Sequence, residues 1–156
     1  MEIFEIPPED RRDFMELLLL ADESEAMISR YVGRGRMYVL TVWGEAVAEC
    51  LVTDEGGGVL EIQSIAVAPE HRRHGYGRAL IEFLAEEFAG EYAALTAGTG
   101  ESPFTTPFYT ACGFVYSHRV ENFFIENYPR PIVEGGVTLR DKVYYRRELC
   151  CAERIK

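Results

Sequence analysis

The sequence predicts a mixed α/β (α+β) fold: one mainly antiparallel sheet of six to seven strands, with helices on both faces. Three observations carry this. Two helical segments open the chain, three extended segments joined by short glycine-bearing turns follow, and a strand–helix–strand crossover then brings two strands parallel. No repeat, low-complexity run or linker divides the 156 residues, which form a single expected domain over 1–156.

Pro7-Pro8-Glu9-Asp10 places prolines and acids where a first helical turn tolerates them, and Phe14, Leu17, Leu18 and Ala21 recur at helical spacing. A second short helix is expected from Ser24 to about Tyr31, ended by Gly33 and Gly35. Met37 to Trp43 and Ala46 to Thr53 are rich in Val, Tyr, Thr and Leu, and Gly44-Glu45 separates them as a hairpin turn would. The tight connection Asp54 to Gly58 leads into a third strand, Val59 to Ala68. Beyond Pro69 comes a basic loop and then a helix whose Leu80, Leu84 and Phe88 share one side while Glu82 and Glu86 face water. Gly90 ends it, and Tyr92 to Ala97 reads as a buried strand. Pro107 would interrupt a helix begun at Ser102, so a short helix is placed from about Pro107 to Cys112, closed by Gly113. Phe114 to Ile125 and Val137 to Glu148 are the last expected strands.

Charge and cysteine usage narrow the function. A formal charge of −10 argues against a nucleic-acid partner, whose phosphates call for Lys and Arg. The longest apolar run, Leu17 to Ala21, is far short of a membrane helix, and the acidic start Met1 to Glu5 lacks the layout of a signal peptide. Cys50, Cys112, Cys150 and Cys151 form no zinc-binding pattern, so no metal is expected, and free thiols suit a reducing cytoplasm. A redox role for the adjacent Cys150-Cys151 has no neighbour that would lower a thiol pKa.

The strongest local signal is His71-Arg72-Arg73-His74-Gly75-Tyr76-Gly77-Arg78, at the join of the third strand and the long helix. Two glycines one residue apart allow conformations closed to other residues. The amides from Arg73 to Arg78 can then converge on an anion at the helix N-terminus. Three Arg and two of the three His fall within these eight residues, a local reversal of the chain's charge. No Gly-Lys-Ser/Thr follows, and Leu80 stands where a dinucleotide fingerprint needs its third glycine.

Arg72-Arg73-His74-Gly75-Tyr76-Gly77 resembles the Q/R-x-x-G-x-G/A signature of the GNAT acyltransferase superfamily, and Ile65 to Pro69 resembles the strand that leads into it. Phe108-Tyr109-Thr110-Ala111-Cys112-Gly113-Phe114 is similar to a second family segment, F/L-Y-x-x-x-G-F, one helix and one strand downstream. The resemblance implies a GNAT-like fold and acetyl-coenzyme A as co-substrate. It implies a strand splayed near Ile65 to Val67, where Ile65, Ala66 and Val67 pair with the pantetheine arm, and a pyrophosphate held by Arg72, Arg73, His74, Gly75, Tyr76, Gly77 and Arg78. Where the family often carries Asn, seven residues before the tyrosine, this chain has Ser102.

Transfer of an acetyl group to an amine needs a base for the ammonium proton, a donor to the oxyanion and an acid for the thiolate. Glu61, on the third strand and at the position of a general-base glutamate in some family members, is the candidate base. Tyr109 is the candidate acid, and the Val67 amide the candidate oxyanion donor. Glu121, Asn122, Glu126, Asn127, Tyr128 and Asp141 occupy the late strands and loop where the family often shapes its acceptor site; carboxylates and aromatics there suit a cationic amine. By resemblance, the final strand with Val143-Tyr144-Tyr145 is a candidate homodimer contact. The alternative to an N-acetyltransferase is a non-catalytic acyl-CoA-binding or sensing domain.

Overall fold

The computed structural model describes residues 1–149, so Cys150 and Cys151 lie outside the described residues. The chain opens with a strand, β1 (Glu2–Ile6), absent from the sequence reading. A 3-10 segment, Pro8–Phe14, precedes α1 (Met15–Ala21), and α2 (Glu25–Ile28) starts at Ser24, whose hydroxyl accepts from the Met27 amide at 3.2 Å. The meander follows as β2 (Arg36–Val42), β3 (Glu45–Asp54) and β4 (Val59–Val67). Helix α3 (Tyr76–Phe88) crosses to β5 (Ala94–Gly100), and α4 is Thr105–Ala111. Pro107 sits inside α4, in its first turn, where no intrahelical N–H bond is lost.

The late segments are more broken than expected. The segment expected as one strand from Phe114 to Ile125 divides into β6 (Val115–Val120) and α5 (Phe123–Asn127). Asn122 takes a left-handed conformation at φ 58°, and its amide donates to Asp141 Oδ1 at 2.9 Å, which turns the chain. The i, i+4 pair Phe124 and Tyr128 then stacks at 5.4 Å, the helical spacing that the strand reading passed over. Val137 to Glu148 likewise splits into β8 (Val137–Thr138), paired with β7 (Val133–Glu134), and β9 (Lys142–Glu148).

Seven strands form the main sheet in the order β1-β2-β3-β4-β5-β9-β6, antiparallel throughout except for β4 and β5. Strand alternation divides the core between its faces. Met37, Val39 and Leu51 pack on Leu18 and Ile28 of α1 and α2; Tyr38, Leu40, Cys50 and Ile62 pack on Leu80, Ile81 and Leu84 of α3. Helices on both faces therefore hold as expected. β9 lies inside the sheet, with Val143 and Tyr145 buried in this chain's own core; the late edge strand is β6, exposed along its length. Among the described residues, no helix is long and apolar enough to cross a membrane.

One buried cation ties the N-terminal segment to the sheet. Arg11 is 2% exposed, and its guanidinium donates to the carbonyls of Ile6 (3.2 Å), Val32 (3.0 Å), Arg34 (2.6 Å) and Gly35 (2.8 Å). These bonds fix both ends of the α1–α2 segment at the start of β2. Arg11→Leu would leave buried carbonyls without donors, at a cost of about 3 kcal/mol. Urea denaturation should show that loss as a lower midpoint with an unchanged slope.

Candidate active site

The site begins where β4 leaves β5. The parallel pairing lasts from Val59↔Ala94 to Ile62↔Ala97; beyond it β4 pairs only with β3, and Gly98 to Gly100 only with β9. The parting thus starts at Gln63, two residues before the expected splay at Ile65. A β-bulge causes the change of direction: Leu51 pairs with Ser64 and Val52 with Ile62, which leaves Gln63 extra on β4. Consecutive residues Gln63 and Ser64 consequently both line the cleft that opens there.

The ladder decides which backbone groups face the opening. Ala68 donates to the Val47 carbonyl at 2.8 Å, so Ala48 and Val67 are a non-hydrogen-bonded pair. By alternation, Ile65 and Val67 direct their amides away from β3 into the parting, while Ala66 exchanges its hydrogen bonds with Glu49. Of the three expected backbone contacts, Ala66 is therefore spent within the sheet. The Val67 carbonyl accepts from Arg72 Nε at 3.2 Å, which binds the basic loop to the strand end.

Residues Arg72 to Gly75 of that loop are exposed. Arg73 at φ 65° and Gly75 at φ 82° are both left-handed, so the chain turns twice before α3 starts. A Cβ on Gly75 would meet nothing within 4 Å, whereas one on Gly77 would press on the Phe108 ring at 3.1 Å and Val67 Cγ2 at 3.6 Å. The two glycines serve different needs: Gly75 allows the turn, and Gly77 lets α3 lie close to α4 and the end of β4. Arg72, Arg73, His74 and Arg78 are exposed around the N-terminus of α3, and Tyr76 is half-buried. His74 stacks on Tyr76 at 5.7 Å with its Nδ1 3.0 Å from the His71 carbonyl, and His71 lies 3.4 Å from Glu45. Neither histidine lines the cleft.

The cleft holds about 560 Å³, and its walls come from α1, α2, β4, β5, α4, α5 and β9. Glu61 and Tyr109 both line it. Burial pushes the Glu61 carboxyl above its ordinary value, opposed first by Lys142. Burial in turn lowers Lys142, opposed by Glu61, Asp22 and Glu55. The Lys142 ammonium lies 4.6 Å from the Phe123 ring centre and 5.2 Å from that of Tyr144, a cation held between aromatic faces. Tyr109 is 6% exposed, stacked on Tyr145 at 5.7 Å and edge-on to Phe108 and Phe114; burial holds its phenol well above the usual range and therefore protonated.

The expected acceptor residues are placed differently. Tyr128 lines the cleft and donates to Asp22 Oδ1 at 3.0 Å. Glu121 and Glu126 are exposed and outside it, and Asn122 and Asp141 bond to each other and to Arg140 and Arg119. Asn127 is 3.5 Å from Arg30 and also outside the lining. The cleft's acids are instead Asp22, Glu23, Glu55, Glu61 and Glu134, against Arg30, Arg34 and Lys142. Burial raises both Asp22 and Glu134. Ser102, in place of the family's Asn, uses its hydroxyl to accept from the amides of Phe104 (3.2 Å) and Thr105 (3.3 Å), capping the entry to α4.

A parted parallel strand pair facing a basic helix N-terminus, with an acidic cleft behind it, defines a small domain suited to an extended anionic ligand. A family model described as the acetyltransferase (GNAT) domain matches residues 33–116. An uncharacterized N-acetyltransferase of Bacillus subtilis, YvbK, is 31% identical over 142 residues, covering 89% of this chain and 91% of its own. The chain belongs to the GNAT acetyltransferase family. Similar solved structures include an IAA acetyltransferase from Bacillus cereus (33% identity, TM-score 0.88, covering 95% of this chain and 99% of that one). A GNAT family acetyltransferase from Elizabethkingia anophelis with acetyl-CoA bound is 29% identical with TM-score 0.84, covering 95% and 97%. A Bacillus subtilis acetyltransferase in complex with CoA is 27% identical with TM-score 0.87, covering 96% and 99%.

The opposed shifts of Glu61 and Lys142 give a direct test. Lys142→Met removes the cation that opposes the rise of Glu61, so the Glu61 titration should move to higher pH. Carbon-13 NMR of labelled glutamate carboxyls across pH should record it, and an unmoved Glu61 would mean that the two groups do not sense each other.

Proposed function

We propose that this protein is an N-acetyltransferase that moves the acetyl group of acetyl-CoA to a primary amine of a small molecule or peptide. The observation that carries the reading is the parting of β4 from β5, which leaves the Ile65 and Val67 amides directed into the opening beside the exposed loop Arg72 to Gly75. A pantetheine arm offers amides that complete a strand edge, and a pyrophosphate suits the Arg73 to Arg78 backbone with its surrounding arginines. The complexes of the E. anophelis and B. subtilis relatives with acetyl-CoA and CoA support the choice of ligand.

When bound, acetyl-CoA supplies a thioester carbonyl as the acylating group. Glu61 takes the proton of the incoming ammonium. Its raised pKa brings it closer to the amine's value of about 10 than an ordinary carboxylate would be. The Val67 amide donates to the carbonyl oxygen as negative charge builds there. Tyr109, kept protonated by burial, donates to the departing sulfur. The excess of acids in the cleft favours a cationic acceptor, and its aromatic rings add cation–π attraction. Glu121, Asn122 and Glu126 stand outside the cleft lining, so the acceptor contacts are assigned to Tyr128 and the lining acids. The free thiols of Cys50 and Cys112 suit the reducing cytoplasm in which we place the enzyme.

Calorimetry with CoA and acetyl-CoA should show binding, and a panel of polyamines, aminoglycosides and peptide amines should release free thiol from acetyl-CoA. Tyr109→Phe should lower kcat by about a hundredfold with little change in binding. Binding without turnover on any amine would point to the acyl-CoA-sensing alternative, and full activity in Tyr109→Phe would remove that residue's role.

A further inference from the structure

Glu49 stands out from every other acid among the described residues because it is fully buried. It sits in the middle of β3, opposite Val39 of β2 and Ala66 of β4, on the face where Leu51, Met37 and Val39 make an apolar layer with α1 and α2. A carboxyl there is costly, and an apolar residue would serve the sheet better. Its Oε2 accepts a hydrogen bond from the Ser64 hydroxyl at 2.6 Å, while Oε1 has no partner. Ser64 in turn lines the cleft, just past the bulge and between Glu61 and the outward amides of Ile65 and Val67. The Tyr31 hydroxyl, buried on the same cleft wall, lies near Ser64, whose hydroxyl opposes the upward push of burial on that phenol. One hydroxyl thus joins a dry carboxyl to the place where the amine must approach.

We infer that Glu49, acting through Ser64, is a second proton acceptor for the incoming amine, beside Glu61. The N–H bond of the ammonium breaks as its proton passes to Ser64 Oγ, and the original Ser64 O–H breaks as that proton passes to Glu49 Oε2. Ser64 ends unchanged, Glu49 neutral and the amine free to attack. Glu49 touches no substrate; it is a positioning residue that works through the serine. The inference rests on the N-acetyltransferase reading and extends it.

The local chemistry suits the step. Burial pushes the Glu49 carboxyl up to about 8, with the Ser64 hydrogen bond opposing the rise. Transfer from an alkylammonium of pKa about 10 is therefore uphill by about two units, rather than the six that an ordinary carboxylate would impose. The titratable groups around Glu49 are Tyr31, from the turn after α2, Tyr109 on α4 and Cys50 on β3, and burial raises all three. They stay neutral while Glu49 changes charge.

The test uses the full chain, acetyl-CoA and an amine that turns over, with kcat and KM followed from about pH 6 to 9.5. Wild-type kcat should rise through a limb near pH 8. Glu49→Gln should lose that limb and about ten- to a hundredfold in kcat, with both KM values within about twofold. Ser64→Ala should do the same, and the double variant should be no worse than either single one. Glu61→Gln should keep the limb. Thermal midpoints give a readout apart from turnover. The raised pKa means that the fold favours neutral Glu49, so this carboxyl takes stability from the wild type as pH climbs from 4.5 to about 8, a loss that the Gln variant lacks. The midpoint of Glu49→Gln relative to wild type should therefore climb over that window and then level. A wild-type profile without the limb overturns the inference, as does a Glu49→Gln or Ser64→Ala enzyme that retains it. If Glu49→Gln does not fold, Ser64→Ala decides alone. Absence of CoA binding by calorimetry sinks the acetyltransferase reading itself, a result distinct from any of these.

Discussion

The arrangement depends on one departure from regular pairing: β4 and β5 run together for four residues and then separate. A parallel pair broken in mid-sheet leaves backbone donors without partners, and each such group, if kept dry, costs on the order of 1–3 kcal/mol. A fold tolerates this only where water or a ligand completes the edge. The bulge at Gln63 turns β4 aside, Gly98 and Gly100 let side chains of β9 and its approach lie across β5, and Gly77 lets α3 close against the end of the wedge. A Cβ on Gly98 would stand 2.7 Å from the Tyr144 ring, so the cleft floor is shaped by the lack of a side chain there.

Two electrical environments meet at that wedge. The loop before α3 presents Arg72, Arg73 and Arg78 in water, where charge attracts an anion at little desolvation cost. The cleft on the other side carries five acids and three bases, several of them partly buried. Lower effective dielectric there makes each pairing count for more, which is why Lys142 and Glu61 oppose each other's burial shifts. The basic side suits an anionic ligand, and the acidic side suits the cationic acceptor of the proposed reaction.

Much of this was legible in the chain. The meander, the crossover helix, the left-handed Gly75 and the basic loop follow from local patterns, because turns and helix starts are set by neighbours in sequence. β1 escaped because Glu2-Ile3-Phe4-Glu5-Ile6 is short and mostly exposed, with Ile3 and Ile6 alone partly buried. The break at Asn122 escaped because its cause, Asp141, is 19 residues away. The cleft was the least legible part. Asp22, Glu134 and Lys142 come together only through the tertiary fold, and Lys142-Val143-Tyr144 offered just a period-two hint that Lys142 and Tyr144 share a face. Glu49 sits in an apolar strand, where sequence alone cannot tell a buried carboxyl from an outward one.

The Arg11 guanidinium has an architectural consequence. By gripping Ile6 on one side and Val32, Arg34 and Gly35 on the other, it closes the intervening stretch into a loop whose ends are tied together by one side chain, while Leu18 and Ile28 seat its middle on the sheet. Leu19, Leu20, Asp22, Glu23, Met27 and Tyr31 all project into the cleft from within that loop. This cleft wall is thus a cassette with fixed ends, whose cleft-facing side chains can be exchanged while Leu18 and Ile28 keep it seated on the sheet.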